Sequence, residues 1–149
     1  MRFLSDKAKQ TCRGWNRRPL TEADLYRLCR QHKIGVQEMP LRTDGFYYRV
    51  MGHDFIAVDS RLPPLKKLFV LFHEFGHFLL HVPDNNATAN FHGVGKRGRK
   101  EQEADAFALC ALIPAAWIVE RPIEEIVQTE GLPAEMLRDR VELYRTFGV

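Results

Sequence analysis

Cysteine is scarce in this chain. Three occur in 149 residues, at positions 12, 29 and 110, odd in number and with no CxxC pair. That excludes a disulfide framework and a cysteine-built zinc site, and it fits a reducing compartment. Long apolar runs are missing too: each is broken by His, Glu or Lys, so no membrane span is expected. The first residues lack the apolar stretch of a signal peptide, and a cytoplasmic protein is expected. There is no internal repeat and no low-complexity segment. A strong charge of one sign is also absent. The net charge of +3 is too small to argue for nucleic acid, so direct nucleic-acid binding is not expected. What remains, 45% hydrophobic and 28% charged residues, is the composition of a globular domain able to bury a core.

The basic charge is uneven. Residues 1–20 carry Arg2, Lys7, Lys9, Arg13, Arg17 and Arg18 against Asp6, and are expected as a basic arm or irregular helix ahead of one domain over 21–149. A second cluster, Lys96, Arg97, Arg99 and Lys100, lies in "GKRGRK". Thr21 opens a helix, with Asp24 in place to complete a capping box. Three short runs, "IGVQEM", "GFYYRV" and "DFIAVDS", separated by Asp44-Gly45 and by Gly52, predict a small antiparallel sheet over residues 34–60. Pro63 and Pro64 introduce a long apolar helix ending near His81, before Pro83. A polar loop over 82–100 precedes "KEQEADAFALCALI", a second long helix stopping by Pro114, and shorter helices follow to the end. The fold class expected is α+β: a small sheet packed on a helical core, with a helical C-terminal part.

The apolar helix contains "HEFGH", residues 73 to 77. A core helix has no need of ionisable groups, and burying them unpaired costs free energy. In a helix, residues four apart share a face, so His73 and His77, about 6 Å apart along the axis, can aim at one ion. Glu74 is turned roughly 100° from His73, where it misses the ion but reaches a water beside it and can take its proton. The apolar residues on either side, Leu68 to Phe72 and Phe78 to Leu80, supply the dry wall that a catalytic zinc site wants.

Such a site needs a third protein ligand. His81 continues the same face but stands about 12 Å from His73 along the axis, too far for all three to meet; it is expected as a C-terminal residue favoured by the helix dipole. The acidic helix offers Glu101 and Glu103. Glu101 shares a stripe with Ala104, Asp105, Ala108 and Ala111, small enough for close helix approach, opposite Gly76; Glu103 lies on the side of Phe107 and Cys110. Helical facing favours Glu101 over Glu103 and leaves Asp105 to orient a ligand histidine.

The two segments "FVLFHEFGHFLLH" and "EQEADAFALCALIP", in this order, resemble the ImmA/IrrE family of metallopeptidases, the likeness covering roughly residues 45 to 115. Glu101, Ala104, Asp105, Phe107, Ala108 and Pro114 occupy the places of the family's second motif. The resemblance implies a gluzincin-like zinc peptidase core, with His73, His77 and Glu101 holding Zn²⁺ (or Mn²⁺) and Glu74 as base. It also implies a protein substrate, a helix-turn-helix repressor of phage, mobile-element or stress-response genes. The fused helix-turn-helix domain of many relatives is not found here, which implies a peptidase acting on a separate partner. His92, Tyr47 and Tyr48 are the candidates for stabilising an oxyanion. The loop over 82–100 is expected as a wall of the substrate groove. Two rival readings are a non-proteolytic regulator binding a repressor or DNA, and a toxin–antitoxin component. Oligomeric state is not legible.

Overall fold

The computed structural model describes residues 1–81 and 98–149 in full and the backbone of residues 90–92. Helix α1 (Arg2–Thr11) and helix α2 (Glu22–Gln31) precede strands β1 (Ile34–Met39), β2 (Gly45–Val50) and β3 (His53–Asp59). Helix α3 (Pro64–His81), strand β4 (Asn90–His92) and helix α4 (Arg99–Leu112) follow, and α5 (Ala115–Glu120), α6 (Ile123–Glu130) and α7 (Ala134–Phe147) form the C-terminal part. The class is α+β, as the segment pattern implies.

Helix α3 is the centre. β2 and β3 cover one side of it, α4 lies along another, and α1 and α2 complete its surroundings. The pleat decides what the sheet contributes. Tyr47 and its cross-strand partner Ile56 are fully buried, and the Tyr47 ring packs against Phe78 of α3. The next pair, Tyr48 and Phe55, stacks with ring centres 5.0 Å apart.

The sheet is mixed, not antiparallel as expected. Its order is β1-β3-β2-β4; β2 runs antiparallel to β3 and β4, but β1 runs parallel to β3. The β2–β3 hairpin is the local one: Met51 and Gly52 both take positive φ, 50° and 78°, the geometry of a two-residue hairpin turn. The connection 40–44 instead passes the end of β3, so Asp44-Gly45 leads into β2 rather than forming a tight turn. Asp59, the last residue of β3, fixes that path. Its N–H donates to Asp44 O at 2.8 Å, and its carboxylate accepts from Leu41 N–H at 3.3 Å and Arg61 Nε–H at 3.0 Å.

Residues 1–20 are packed into the core rather than standing off as an arm. Leu4, Ala8, Cys12 and Trp15 are spaced to fall on one helical side, and all are buried. Trp15 Nε1–H donates to Phe107 O at 3.0 Å, and Leu20 N–H to Ala111 O at 2.8 Å, stapling the segment to α4. The basic side chains occupy the outer face. Thr21 and Asp24 form the expected capping box of α2.

The C-terminal helix locks this end. Arg140, fully buried, donates from Nε to Ile113 O at 2.7 Å, from Nη1 to Val149 O at 2.7 Å and from Nη2 to Asn16 Oδ1 at 2.8 Å. Asn16 stands in the left-handed region, φ 61°, and its Oδ1 also accepts from Ala115 N–H at 2.9 Å. One guanidinium thus ties the N-terminal bend, the end of α4 and the C-terminal segment together.

Candidate metal centre

The approach of α3 to α4 comes first. The facing stripe of α4 is built of Ala104, Ala108 and Ala111, none exposed. Opposite stands Gly76, where a Cβ would lie 3.2 Å from the Phe107 ring and 3.4 Å from Ala104 Cα. A larger side chain would push the helices apart. With none there, the first turn of α4 sits over the middle of α3.

At that crossing three residues converge. Glu101 Oε1 lies 2.9 Å from His77 Nε2, and Glu101 Oε2 lies 3.2 Å from His73 Nε2. One ligand atom from each of His73, His77 and Glu101 falls within 4.8 Å of the others, a group that could hold a metal ion. Zinc with nitrogen and oxygen ligands near 2.1 Å has tetrahedral edges of about 3.3 Å, close to these separations. A second observation fits a cation here. His73 Nε2 is buried and has no aligned hydrogen-bond partner among the described residues, although Glu101 Oε2 is only 3.2 Å away. Proximity without alignment is a relation that two ligands facing a shared ion would have.

The nitrogens that face Glu101 are set by what holds the other side of each ring. His73 Nδ1 is 2.7 Å from Asp105 Oδ1, the contact expected for an orienting carboxylate. His77 Nδ1 is 3.0 Å from His81 Nδ1, and His81 Nε2 is 2.9 Å from Glu103 Oε2. Glu103, the rival to Glu101, therefore turns to His81 and to Arg99, whose Nε–H donates to Oε1 at 2.8 Å. His81, read from the sequence as a helix-end residue, partners His77. The i,i+4 spacing of His77 and His81 carried that signal; Glu103 across the helix gap did not.

Glu74 is 1% exposed, with one carboxylate oxygen 4.0 Å from His73 Nε2. Burial pushes its pKa up to about 8, with the nearby Glu101 and Asp105 charges adding to the rise and His73 and a backbone hydrogen bond from Tyr47 opposing it. Its Oε2 has no hydrogen-bond partner among the described residues. Burial works against charge on His73, but the Asp105 hydrogen bond and the surrounding carboxylates outweigh it and raise its pKa. Burial and the neighbouring His73 lower His77 to about 3, so its neutral form, with a lone pair to give, is favoured. Burial also raises Glu101.

His73, Glu74, Glu101 and Asp105 open onto a cleft of about 580 Å³ whose opposite rim includes Met136 and Asp139 of α7. Neither tyrosine proposed for an oxyanion reaches it. The Tyr47 hydroxyl donates to Asp54, beside Arg49, and the Tyr48 hydroxyl lies 3.4 Å from Gln37. The His92 side chain and the loop 82–89 and 93–97 lie outside the described residues.

Two histidines four apart on one helix, an acid from the next and a buried glutamate beside them form the site pattern of the HExxH metallopeptidase class. The chain belongs to the family of IrrE N-terminal-like domains, peptidase M78, which it matches over residues 29–142. It is 32% identical over 107 residues to "Uncharacterized immunity region protein 2" of Bacillus phage phi105, a match covering 66% of this chain and 67% of the phage protein. No solved structure matches the chain.

Proposed function

We propose that this chain is a cytoplasmic zinc metalloendopeptidase that cuts a helix-turn-helix transcriptional repressor at a specific site, in the control of phage, mobile-element or stress-response genes. The observation that carries this reading is the convergence of His73, His77 and Glu101 with Glu74 at a cleft. In it, Nε2 of both histidines and the Glu101 carboxylate hold the metal. Two imidazoles and a carboxylate suit Zn²⁺, with Mn²⁺ as the alternative. When bound, the metal polarises a scissile carbonyl and acidifies water.

The chain's own groups do the rest. Asp105 keeps the His73 Nδ1–H directed at itself and the ring edge directed at the cleft. Glu74, buried beside His73 and with one oxygen without a hydrogen-bond partner among the described residues, is placed to accept a proton from water and return it to the leaving amine. The apolar surroundings of α3 keep bulk water from competing for that proton. A protein substrate accords with the peptidase family, and a repressor accords with the relative named for a phage immunity region.

The test is incubation with a helix-turn-helix repressor encoded beside the gene, with and without chelator, read by mass spectrometry. One defined cut is expected, lost on chelation and lost in Glu74→Gln. A Glu74→Gln protein that binds metal and cuts at the wild-type rate overturns the reading.

A further inference from the structure

The two ligand histidines are supported differently. On the side away from Glu101, Asp105 meets His73 Nδ1 directly, whereas His77 Nδ1 is met by another imidazole, which in turn meets a carboxylate. We infer that Glu103 and His81 form a relay of positioning residues that locks His77 in its Nδ1–H tautomer and keeps its Nε2 lone pair turned toward the cation site. The inference rests on the metal-centre reading above.

Each link forces the next. An ionised carboxylate only accepts hydrogen bonds. Glu103 is paired with the Arg99 guanidinium, whose Nε–H donates to Oε1 at 2.8 Å, so it stands as a carboxylate acceptor. His81 Nε2, 2.9 Å from Glu103 Oε2, must therefore carry a hydrogen. A neutral imidazole carries one ring hydrogen, so with Nε2–H given to Glu103 the other nitrogen of His81 is bare. That bare Nδ1 sits 3.0 Å from His77 Nδ1, which must then be the donor. A neutral imidazole with hydrogen on Nδ1 has its lone pair on Nε2, the atom 2.9 Å from Glu101.

The reverse polarity fails at both ends. It would set a bare His81 nitrogen against the Glu103 carboxylate, lone pair to lone pair, and put hydrogen on the His77 nitrogen that faces the site. The chain of donors thus runs Arg99 to Glu103, His81 to Glu103 and His77 to His81. It ends on the ligand atom least exposed of the three, since His77 is 0% exposed and no solvent can correct a wrong tautomer there.

Metal affinity decides the matter, measured by competition for Zn²⁺ or Co²⁺ with a chromogenic chelator, independently of any proteolysis. His81→Leu and Glu103→Ala are each expected to weaken binding about 10- to 100-fold. His81→Asn is expected to restore most of the loss, because its amide oxygen falls where Nδ1 stood and accepts from His77. In the His81→Asn background Glu103→Ala is expected to add nothing, since the relay no longer runs through position 81. Melting of the metal-free proteins checks the fold, and Glu103→Ala, at the outer end, carries the same test if His81→Leu does not fold. Wild-type affinity in both His81→Leu and Glu103→Ala overturns the relay, as does His81→Asn binding as weakly as His81→Leu, or an additive Glu103→Ala effect. A wild-type protein that takes up no metal overturns the metal centre itself and the relay with it.

Discussion

On the first turn of α4 the Glu101 carboxylate meets His73 and His77; where that helix ends, at Ile113, the Arg140 guanidinium meets three oxygens. Both clusters are buried and polar, and both draw on residues far apart in the chain. They differ in what they are short of. Around Arg140, hydrogens on nitrogen face oxygens with lone pairs, and the cation is part of the chain. At the other end carboxylates outnumber cations: Glu101 faces the Nε2 atoms of His73 and His77, Glu74 lies 4.0 Å from His73 Nε2, and Asp105 takes the far side of the His73 ring. The first arrangement is complete as folded. In the proposed function the second would become favourable when a cation enters, and that would set a binding site apart from a structural one inside the same core.

The largest effect expected from this contrast is stabilisation by metal at one end and indifference at the other. Zn²⁺ free at 1,000 times its dissociation constant should add about 4 kcal/mol. For a chain of this size that is a rise in melting temperature of about 10 °C. Glu101→Ala should abolish most of the rise and Arg140→Met should leave it intact, as calorimetry with and without metal would read. A wild-type melting temperature insensitive to metal would erase the distinction between the clusters.

Next in size is Arg140→Met. The Ile113 carbonyl, buried, and the Asn16 amide, part-buried, lose charged donors at 2.7 and 2.8 Å. Hydrogen bonds to charged groups contribute roughly 1.5–3 kcal/mol each, and a buried acceptor left bare costs more than the bond itself returns. A loss of about 3 kcal/mol is expected in denaturant unfolding, equal in the presence and absence of metal.

Glu74→Gln sharpens the comparison by its sign. A neutral amide replaces a buried carboxyl group whose ionisation burial and the neighbouring Glu101 and Asp105 oppose. The metal-free variant should gain about 1–2 kcal/mol of stability at neutral pH, as expected where a site is strained for function. Its proteolysis should fall about 10²- to 10⁴-fold. Loss of activity with gain of stability marks a working site; Arg140→Met should show no gain.

How far the sequence reveals these two ends follows from the range of the forces involved. The candidate metal end is local: HEFGH lies on one helix, and helical facing favours Glu101 over Glu103 and puts Asp105 on the same stripe, the two acids that meet His73. The His81–Glu103 contact depends on the axial offset of two helices, which no spacing encodes. Arg140 sits in "LRDRVEL" beside Arg138 and reads as a surface charge; only the left-handed bend at Asn16 and the end of α4 make it internal. The parallel pairing of β1 was lost for a similar reason. Hairpin signals are local, while the path of residues 40–44 is fixed by Asp59 at the far end of another strand. At the N-terminus the signal was present and outvoted: Leu4, Ala8, Cys12 and Trp15 carry a helical spacing, but the surrounding arginines and lysines dominate the composition.

The smallest effect concerns a third carboxylate, one that carries its own cation as Arg140 carries its own oxygens. Asp24 accepts from Thr21 N–H and from Arg18, which lies 2.8 Å away with about half its side chain in water. The Arg18 hydrogen bond, opposed by burial and aided by Thr21, holds the Asp24 pKa well below the usual carboxylate range. The folded state therefore binds the proton less readily than the unfolded chain does. Below the folded pKa both states are protonated and this contribution is absent; above the unfolded value near 3.8 it is fully present. Stability from Asp24 is thus lost as pH falls from about 4 downward. Because Arg18 is half exposed, its share is screened, and the capping bond sets the scale at about 1 kcal/mol. Asp24→Asn should lower stability by that amount at pH 7 and by less at pH 3, the gap closing further as pH falls toward the folded pKa, with metal affinity unmoved at neutral pH. Equal stability of the two proteins at both pH values would mean that the pairing seen at Asp24 contributes nothing, and that a carboxylate satisfied within the chain is no steadier than one awaiting a metal.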